Sequence, residues 1–494
     1  MGFQLTPAKA PWDAVPAEEQ VFVLITGANS GIGLNTGERL IDEFLSTRSL
    51  RSHLILLPTT RSKSKSLQTI RFLRAHAQRV AQTSAALRSR AGDGYRWEDT
   101  VARIHVLSLQ VDLCDLRNVY ALADTLVNRT VSNPEGLEGE YLRDVRISRL
   151  DTVVFNAAYG GWSGCNFPKA IWVILTQGLV QSVTWPTYKI ALPTCILNER
   201  PGYNYVCVEL PTHLSSLCEV PNQDIQPQKP FLGEVFTACV FGHYILAHQL
   251  LPLLNRHSSS EPPGRIVWSS TIEAVSDVFD TSDFQCFRGK GPYESAKRLM
   301  DILSLTATLP AALPYSSNFL TPDDPTDDPT EACDKPAAPR IYLTHPGVVA
   351  STLFPVPWFL MWAYKLTLIL SRWLGSPWHT VDGYSGAKSA VWIALQEQSA
   401  LDNLHAERVK WGSSSDRQLE VNVKKTEVEG WGWEGKVEDA AALKEDTGVL
   451  RKTIGRKRGV RDVTKEDIIE FEELGAECWK KMEELRQEWG GLIN

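Results

Sequence analysis

Tyr293-Glu294-Ser295-Ala296-Lys297 sets a phenol and an ammonium four residues apart, which places both on one face of a helix. A free phenol titrates near pH ~10, too high for efficient proton exchange near neutrality. A cation beside it favours the phenolate and lowers that value. The pair suits proton transfer to a carbonyl oxygen as hydride arrives, and the reverse. A hydroxyl from Ser269-Ser270-Thr271, at the end of an apolar strand, could hydrogen-bond the same oxygen. Ser270 is the first choice. Thr271 takes its place if the strand is counted without gaps, and Ser269 is the least suited.

A hydride donor has its own signature. Thr26-Gly27-Ala28-Asn29-Ser30-Gly31-Ile32-Gly33-Leu34 follows an apolar run and opens a helix. Gly27 permits a tight turn, Gly31 lets backbone approach a pyrophosphate, and Gly33 allows close helix–strand packing. The helix start offers free N–H groups from Asn29 to Leu34 to the phosphates. The second strand ends Pro58-Thr59-Thr60-Arg61-Ser62-Lys63. It lacks the acid that would hold a ribose 2′-hydroxyl, while Arg61 and Lys63 can meet a 2′-phosphate, so the cofactor expected is NADP(H). Asp112, after the third strand, is placed near the adenine. Asn156 and Ala157, after the fourth, are placed on the ribose side.

These positions need a scaffold. Apolar runs at 21–26, 53–57, 104–107, 150–155, 265–268 and 340–344 alternate with helical spacing at 34–44, 234–254 and 293–305. That alternation predicts an α/β protein, a Rossmann-type doubly wound parallel sheet. The expected organisation is an extension at 1–19, one catalytic domain at 20–400, and a polar linker and C-terminal helical extension at 401–494. Within it, 159–230 reads as an insertion and 311–339, acidic and Pro-rich, as a flexible surface loop. Residues 411–463 read as loosely ordered and 465–489 as a terminal helix. The apolar, Trp-rich stretch 354–376 is interrupted and opens with prolines, whereas a spanning helix needs about 20 apolar residues. An interfacial element or hydrophobic lid is the favoured reading.

Composition narrows the field. With 43 % hydrophobic and 22 % charged residues the chain resembles a soluble globular protein. A net charge of −7 leaves no basic excess for nucleic acid. The nine cysteines form no CxxC pair, and no His cluster has metal spacing, so reduced structural thiols and no metal site are expected. The N-terminal stretch lacks the charged and apolar regions of a secretory signal.

TGANSGIG, NAA, IVWSS, YESAK and HPG, in that order, resemble the short-chain dehydrogenase/reductase superfamily. VFTACVFGHYILAHQLLPLL, GRIVWSST and DFQCFRGKGPYESAKRLMDILS are similar to its 3-keto-steroid reductase branch of sterol (ergosterol) biosynthesis, whose animal counterpart is 17β-hydroxysteroid dehydrogenase type 7. The likeness covers about residues 20–400. It implies NADPH-dependent reduction of a 3-keto sterol to the 3β-hydroxysterol in sterol C4 demethylation. Tyr293, Lys297 and the Ser270 region then correspond to the catalytic set. Pro346, Gly347, Val349 and Ser351 correspond to the turn that contacts the nicotinamide. Where many members carry a relay Asn, this chain has Cys239, a weak hydrogen-bonding group. The resemblance also implies a sterol ketone as substrate and other C4-demethylation enzymes as partners. Its setting would be the cytosolic face of the endoplasmic reticulum membrane or lipid droplets, and a homo-oligomer is compatible with it. The alternatives are a reductase of another lipophilic ketone and a largely non-catalytic scaffold in a sterol-synthesis complex.

Overall fold

The computed structural model describes residues 8–139, 141–192, 194–197, 206–207, 231–256, 258, 261–323, 337–351, 353–437 and 455–493. The apolar runs become the strands β1 Gln20–Ile25, β2 His53–Thr60, β3 Ile104–Val106, β4 Thr152–Phe155, β5 Arg265–Ser269 and β6 Arg340–His345. Two further strands, β7 Lys410–Ser415 and β8 Val421–Thr426, complete the sheet order β8-β7-β6-β5-β4-β1-β2-β3. Neighbours pair in parallel except β7 with β8. The short strand Leu109–Gln110 continues the pairing along Thr59 and Thr60 of β2. Strand order reverses between β1 and β4, and a crevice at their carboxyl ends is the usual ligand position of such sheets.

Helices cover both faces, so β1, β4 and β5 are nearly wholly buried and read as continuous apolar runs. On one side lie α1 Gly31–Thr47 and α2 Lys63–Thr83. On the other lie α3 Leu116–Asn128, a long helix over 234–249 (α4), and α5 Pro292–Thr306. α4 contains a π-helical turn at Thr237–Phe241, a deformation frequent at functional sites.

Several segments are better built than their composition suggests. The expected loose stretch 411–463 supplies β7 and β8, although 438–454 lies outside the described residues. A serine-rich strand can sit inside because its hydroxyls are satisfied locally. Ser413 donates to the Gly386 carbonyl at 2.7 Å and Ser414 to that of Asn422 at 3.0 Å. The main sheet therefore runs past residue 400. The expected loop 311–339 begins as a helix, Leu313–Phe319, whose Phe319 ring stacks on Tyr244 at 4.2 Å. Its acidic part, 324–336, lies outside the described residues. In the N-terminal extension Trp12 is buried, edge-on to Phe22 at 5.9 Å.

The insertion contains a hairpin, Trp162–Cys165 with Lys189–Ala191, and a helix, Phe167–Gln177, before it passes outside the described residues. In the apolar stretch 354–376, helix α6 Met361–Trp373 has 13 residues, of which only Leu368, Ser371 and Arg372 are buried. Among the described residues no helix is long and apolar enough to cross a membrane.

The terminal helix α7 Lys465–Ile493 is a full member of the core. It buries Phe471, Trp479, Met482 and Trp489, and the Trp479 indole donates to the Leu303 carbonyl of α5 at 3.1 Å. Tyr244 of α4 donates to Glu483 at 2.5 Å. Trp479→Ala should thus lower stability by about 3–5 kcal/mol, the usual cost of emptying such a site, read as a reduced midpoint in urea unfolding.

Candidate active site

The glycine turn has little room for side chains. Gly27 has φ +64°, and a Cβ there would lie 2.9 Å from Ala157 Cα. A Cβ on Gly33 would lie 2.5 Å from both the Asn156 amide nitrogen and the Gly27 carbonyl oxygen. Gly33 thus lets the first turn of α1 approach Asn156, just past β4, and the Gly27 carbonyl, just past β1. Gly31, at φ +55°, faces open space. Ser30 precedes α1 but does not cap it; its hydroxyl accepts instead from the Asn29 amide at 3.2 Å. The N–H groups at Gly31, Ile32 and Gly33, with Leu34 starting the helical ladder on the Ser30 carbonyl, form an uncapped anion site. This cradle fits a dinucleotide pyrophosphate.

Thr26 ties the turn to β4. Its hydroxyl oxygen accepts from the N–H groups of Asn156 at 3.0 Å and Ala157 at 3.1 Å. The Asn156 amide donates to the Thr26 carbonyl at 3.1 Å. The Thr26 hydroxyl meets His243 Nε2 of α4 at 2.8 Å, and His243 Nδ1 meets the Cys239 carbonyl at 3.0 Å. Nδ1 faces a carbonyl and must carry the proton, so Nε2 accepts from Thr26. Burial lowers the His243 pKa to about 3, and the ring is neutral.

Beyond β2 the Thr59 carbonyl accepts from Ala28 N–H at 3.0 Å, which brings the end of β2 beside the turn. Arg61 is exposed and forms no ion pair among the described residues. Lys63 is 3.9 Å from Glu135, with both side chains exposed. The Asp112 carboxylate accepts from Cys114 N–H at 3.0 Å, bracing the approach to α3.

Tyr293 and Lys297 are buried together on α5. Lys297 Nζ donates to the Ser269 carbonyl at 2.6 Å and is 5.7 Å from the Tyr293 ring centroid. Burial lowers the Lys297 pKa. Burial also raises that of Tyr293 well above the ordinary phenol value, with Cys239, Glu273 and Glu294 pushing the same way. The Ser270 hydroxyl donates to Asp301 at 2.5 Å, inside a buried pair in which Lys410 donates to Asp301 at 2.5 Å and to the Thr271 carbonyl at 2.7 Å. The Thr271 hydroxyl oxygen accepts from Glu273 N–H at 3.3 Å, and among the described residues its proton has no acceptor. Cys239 sits in the π-turn. Its thiol is 3.5 Å from both the N–H and carbonyl of Tyr159, while His243 occupies its carbonyl.

The turn after β6 is equally constrained. Gly347 has φ +72°, and a Cβ would lie 2.4 Å from the Trp378 carbonyl. Gly347 N–H donates to His345 Nδ1 at 3.0 Å, and the Pro346 carbonyl accepts from Thr380 at 2.9 Å. Val349 bridges Val381, and Ser351 N–H donates to the Val349 carbonyl at 2.9 Å. Sequence reasoning missed Thr380, His243 and the Asp301–Lys410 pair. Of these only His243 had a local signal, its helical spacing from Cys239.

His243 makes stability pH-dependent. Its folded pKa lies below its unfolded value of about 6.5. Its contribution is complete above that pH and is lost as pH falls toward about 3. Urea midpoints should be lower at pH 5 than at pH 7, and His243→Gln should narrow that gap.

No family model matches the chain. The 3-keto-steroid reductase ERG27 of Gibberella zeae is 70 % identical over 495 aligned positions, covering 100 % of this chain and 99 % of that protein. The 3-keto-steroid reductase erg27 of Aspergillus fumigatus is 38 % identical, covering 96 % and 95 %. That of Saccharomyces cerevisiae is 24 % identical, covering 83 % and 90 %. Among solved structures, salutaridine reductase from Papaver somniferum aligns with TM-score 0.37 and 14 % identity, covering 76 % of this chain and 96 % of that one. The Pseudomonas aeruginosa RhlG/NADP complex aligns with TM-score 0.36 and 14 % identity, covering 77 % and 90 %. By full-length identity to its relatives, the chain belongs to the 3-keto-steroid reductases, oxidoreductases of the short-chain dehydrogenase/reductase type.

Proposed function

We propose that the protein reduces the C3 ketone of a sterol to the 3β-alcohol with NADPH, in sterol C4 demethylation. The observation that carries this reading is the buried Tyr293–Lys297 pair, anchored to the last carbonyl of β5 at the sheet edge that also bears the glycine turn. The cofactor, when bound, supplies the hydride. Tyr293 donates its phenolic proton to the ketone oxygen. Burial keeps that phenol protonated near neutrality, the form reduction requires. Lys297 stabilises the phenolate left behind. Thr271 donates a hydrogen bond to the same oxygen, because Ser270 is committed to Asp301. Asn156 and Ala157 hold the turn that cradles the pyrophosphate, Pro346 to Ser351 flank the nicotinamide side, and Asp112 braces the adenine side. Arg61, with Lys63 beside it, selects the 2′-phosphate.

A sterol suits the surroundings. Aromatic rings run outward from Tyr293: Trp162 at 4.7 Å, Phe354 at 6.5 Å from Trp162, and Tyr364 of α6 at 4.9 Å from Phe354. Around α6 Trp358 is 87 % exposed and Trp362 69 %, and on the apolar insertion helix Trp172 is 67 % exposed. Exposed aromatic and aliphatic faces of this kind seat in the interfacial layer of a membrane. The protein then works from the cytosolic face of the endoplasmic reticulum membrane or a lipid droplet, beside the other C4-demethylation enzymes.

Tyr293→Phe should lower ketone reduction by about 10²–10⁴-fold, the span of general acid catalysis, with NADPH binding retained in a fluorescence titration. Undiminished turnover would refute its role. Thr271→Ala should cost more activity than Ser270→Ala, whose main effect should be lower stability. Arg61→Ala should weaken NADPH about tenfold, as loss of a charge-assisted contact does, and leave NADH unchanged. Equal weakening would overturn the choice of cofactor.

A further inference from the structure

Lys189 has no part in the reaction as described, yet it is a second buried cation beside Tyr293. It lies on the insertion strand Lys189–Ala191, and its side chain is 5 % exposed. Its ammonium forms ion pairs with both Glu273 and Glu294. It stands 4.1 Å from the Trp162 ring centroid and 5.9 Å from that of Tyr293. Trp162, on the paired strand, meets the Tyr293 ring edge-on. Glu273 lies two residues beyond Thr271, and Glu294 follows Tyr293 in the first turn of α5. One ammonium therefore ties together the insertion, the segment bearing the Thr271 hydroxyl and the helix bearing the phenol.

Stability alone is a weak reason for this arrangement, since desolvation offsets much of the attraction in a buried ion pair. Its electrostatic consequence is larger. Two carboxylates beside a phenol oppose its phenolate. Burial would discharge Lys189, but Glu273 and Glu294 outweigh it and raise the Lys189 pKa. The cation persists where the carboxylates need it. The other titratable groups packed here are neutral: burial raises the pKa of Tyr188 and Cys165 from the insertion, of Tyr364 from α6 and of Cys239 from α4. Burial also raises the Glu273 pKa, and the Lys189 ion pair opposes that rise; Lys189, Glu273, Glu294 and Lys297 are left to set the charge around Tyr293.

We propose that Lys189 is a positioning residue for the proton transfer: by holding Glu273 and Glu294 it offsets their charge on Tyr293 and seats Trp162 against the phenol ring. The proposal rests on Tyr293 being the proton donor. It assigns a role in catalysis to a residue of the insertion, outside the motifs that mark the site.

The test is oxidation of a 3β-hydroxysterol with NADP+, whose rate rises with pH as Tyr293 loses its proton. Lys189→Met removes the offset and should move that rise upward by roughly one pH unit, making the enzyme about tenfold slower at fixed pH on the limb. Glu294→Gln removes one opposing charge and should move it downward, making the enzyme about tenfold faster at the same pH. Lys189→Arg should keep the wild-type profile, and the KM for NADP+ should not change in any of them. Limbs that stay in place while activity and melting temperature fall would overturn the proposal. If Lys189→Met does not fold, Glu294→Gln alone decides, because a purely structural role cannot accelerate the reaction. Normal turnover by Tyr293→Phe would sink the reading of Tyr293 itself. An inactive Tyr293→Phe with unmoved limbs in the other variants would sink only the role of Lys189.

Discussion

Lys297 places its amino group where almost no water reaches it, burial lowers its pKa, and no ion pair among the described residues includes it. Its partner is the Ser269 carbonyl at the end of β5, 2.6 Å away. A buried amino group held by a backbone carbonyl tolerates little movement, because losing that contact leaves an unpaired buried donor. The bond therefore fixes α5 along the sheet edge, and with it the height of Tyr293 one turn earlier. The remaining features of the site answer to that position. Thr26 and Asn156 bring the glycine turn to the same edge. The Asp301–Lys410 pair holds the Ser270 hydroxyl on the α5 side of the strand end. His243 joins the π-turn of α4 to the base of the glycine turn.

The parts of this arrangement that follow local rules were legible in the residues. Gly27 and Gly347 adopt positive φ because their turns demand it, and a turn of that kind is written in a few adjacent residues. The spacing of Tyr293 and Lys297 is a helical turn. The doubly wound sheet follows from the alternation of apolar runs with helical periods; the strand order itself, reversing between β1 and β4, comes from the structure. The parts that depend on distant contacts were not legible. Ser270 looks like the natural hydroxyl until Asp301, one helical turn beyond Lys297, is seen to hold it. Residues 410–426 look like linker because serines and lysines seldom make interior strands; here Gly386 and Asn422 satisfy the hydroxyls. Leu313–Phe319 looks like loop until Phe319 is found between Tyr244 and Trp479.

The absent relay Asn acquires a physical context. Cys239 occupies the π-turn, but its carbonyl is bonded to His243 and its thiol to the Tyr159 backbone. The same helix thus braces the glycine turn through a neutral imidazole at its π-turn. The insertion, unpromising in composition, supplies Trp162 and Lys189 to the surroundings of the Tyr293 ring.

The central claim is transfer of hydride and proton to a sterol C3 ketone at Tyr293. Its most direct test is to incubate the purified protein with a 3-keto sterol and NADPH bearing deuterium at the transferable nicotinamide C4 position, and to analyse the sterol by mass spectrometry. The account predicts a 3β-alcohol carrying one deuterium at C3. Recovery of unchanged ketone, or of an alcohol without deuterium, would contradict it.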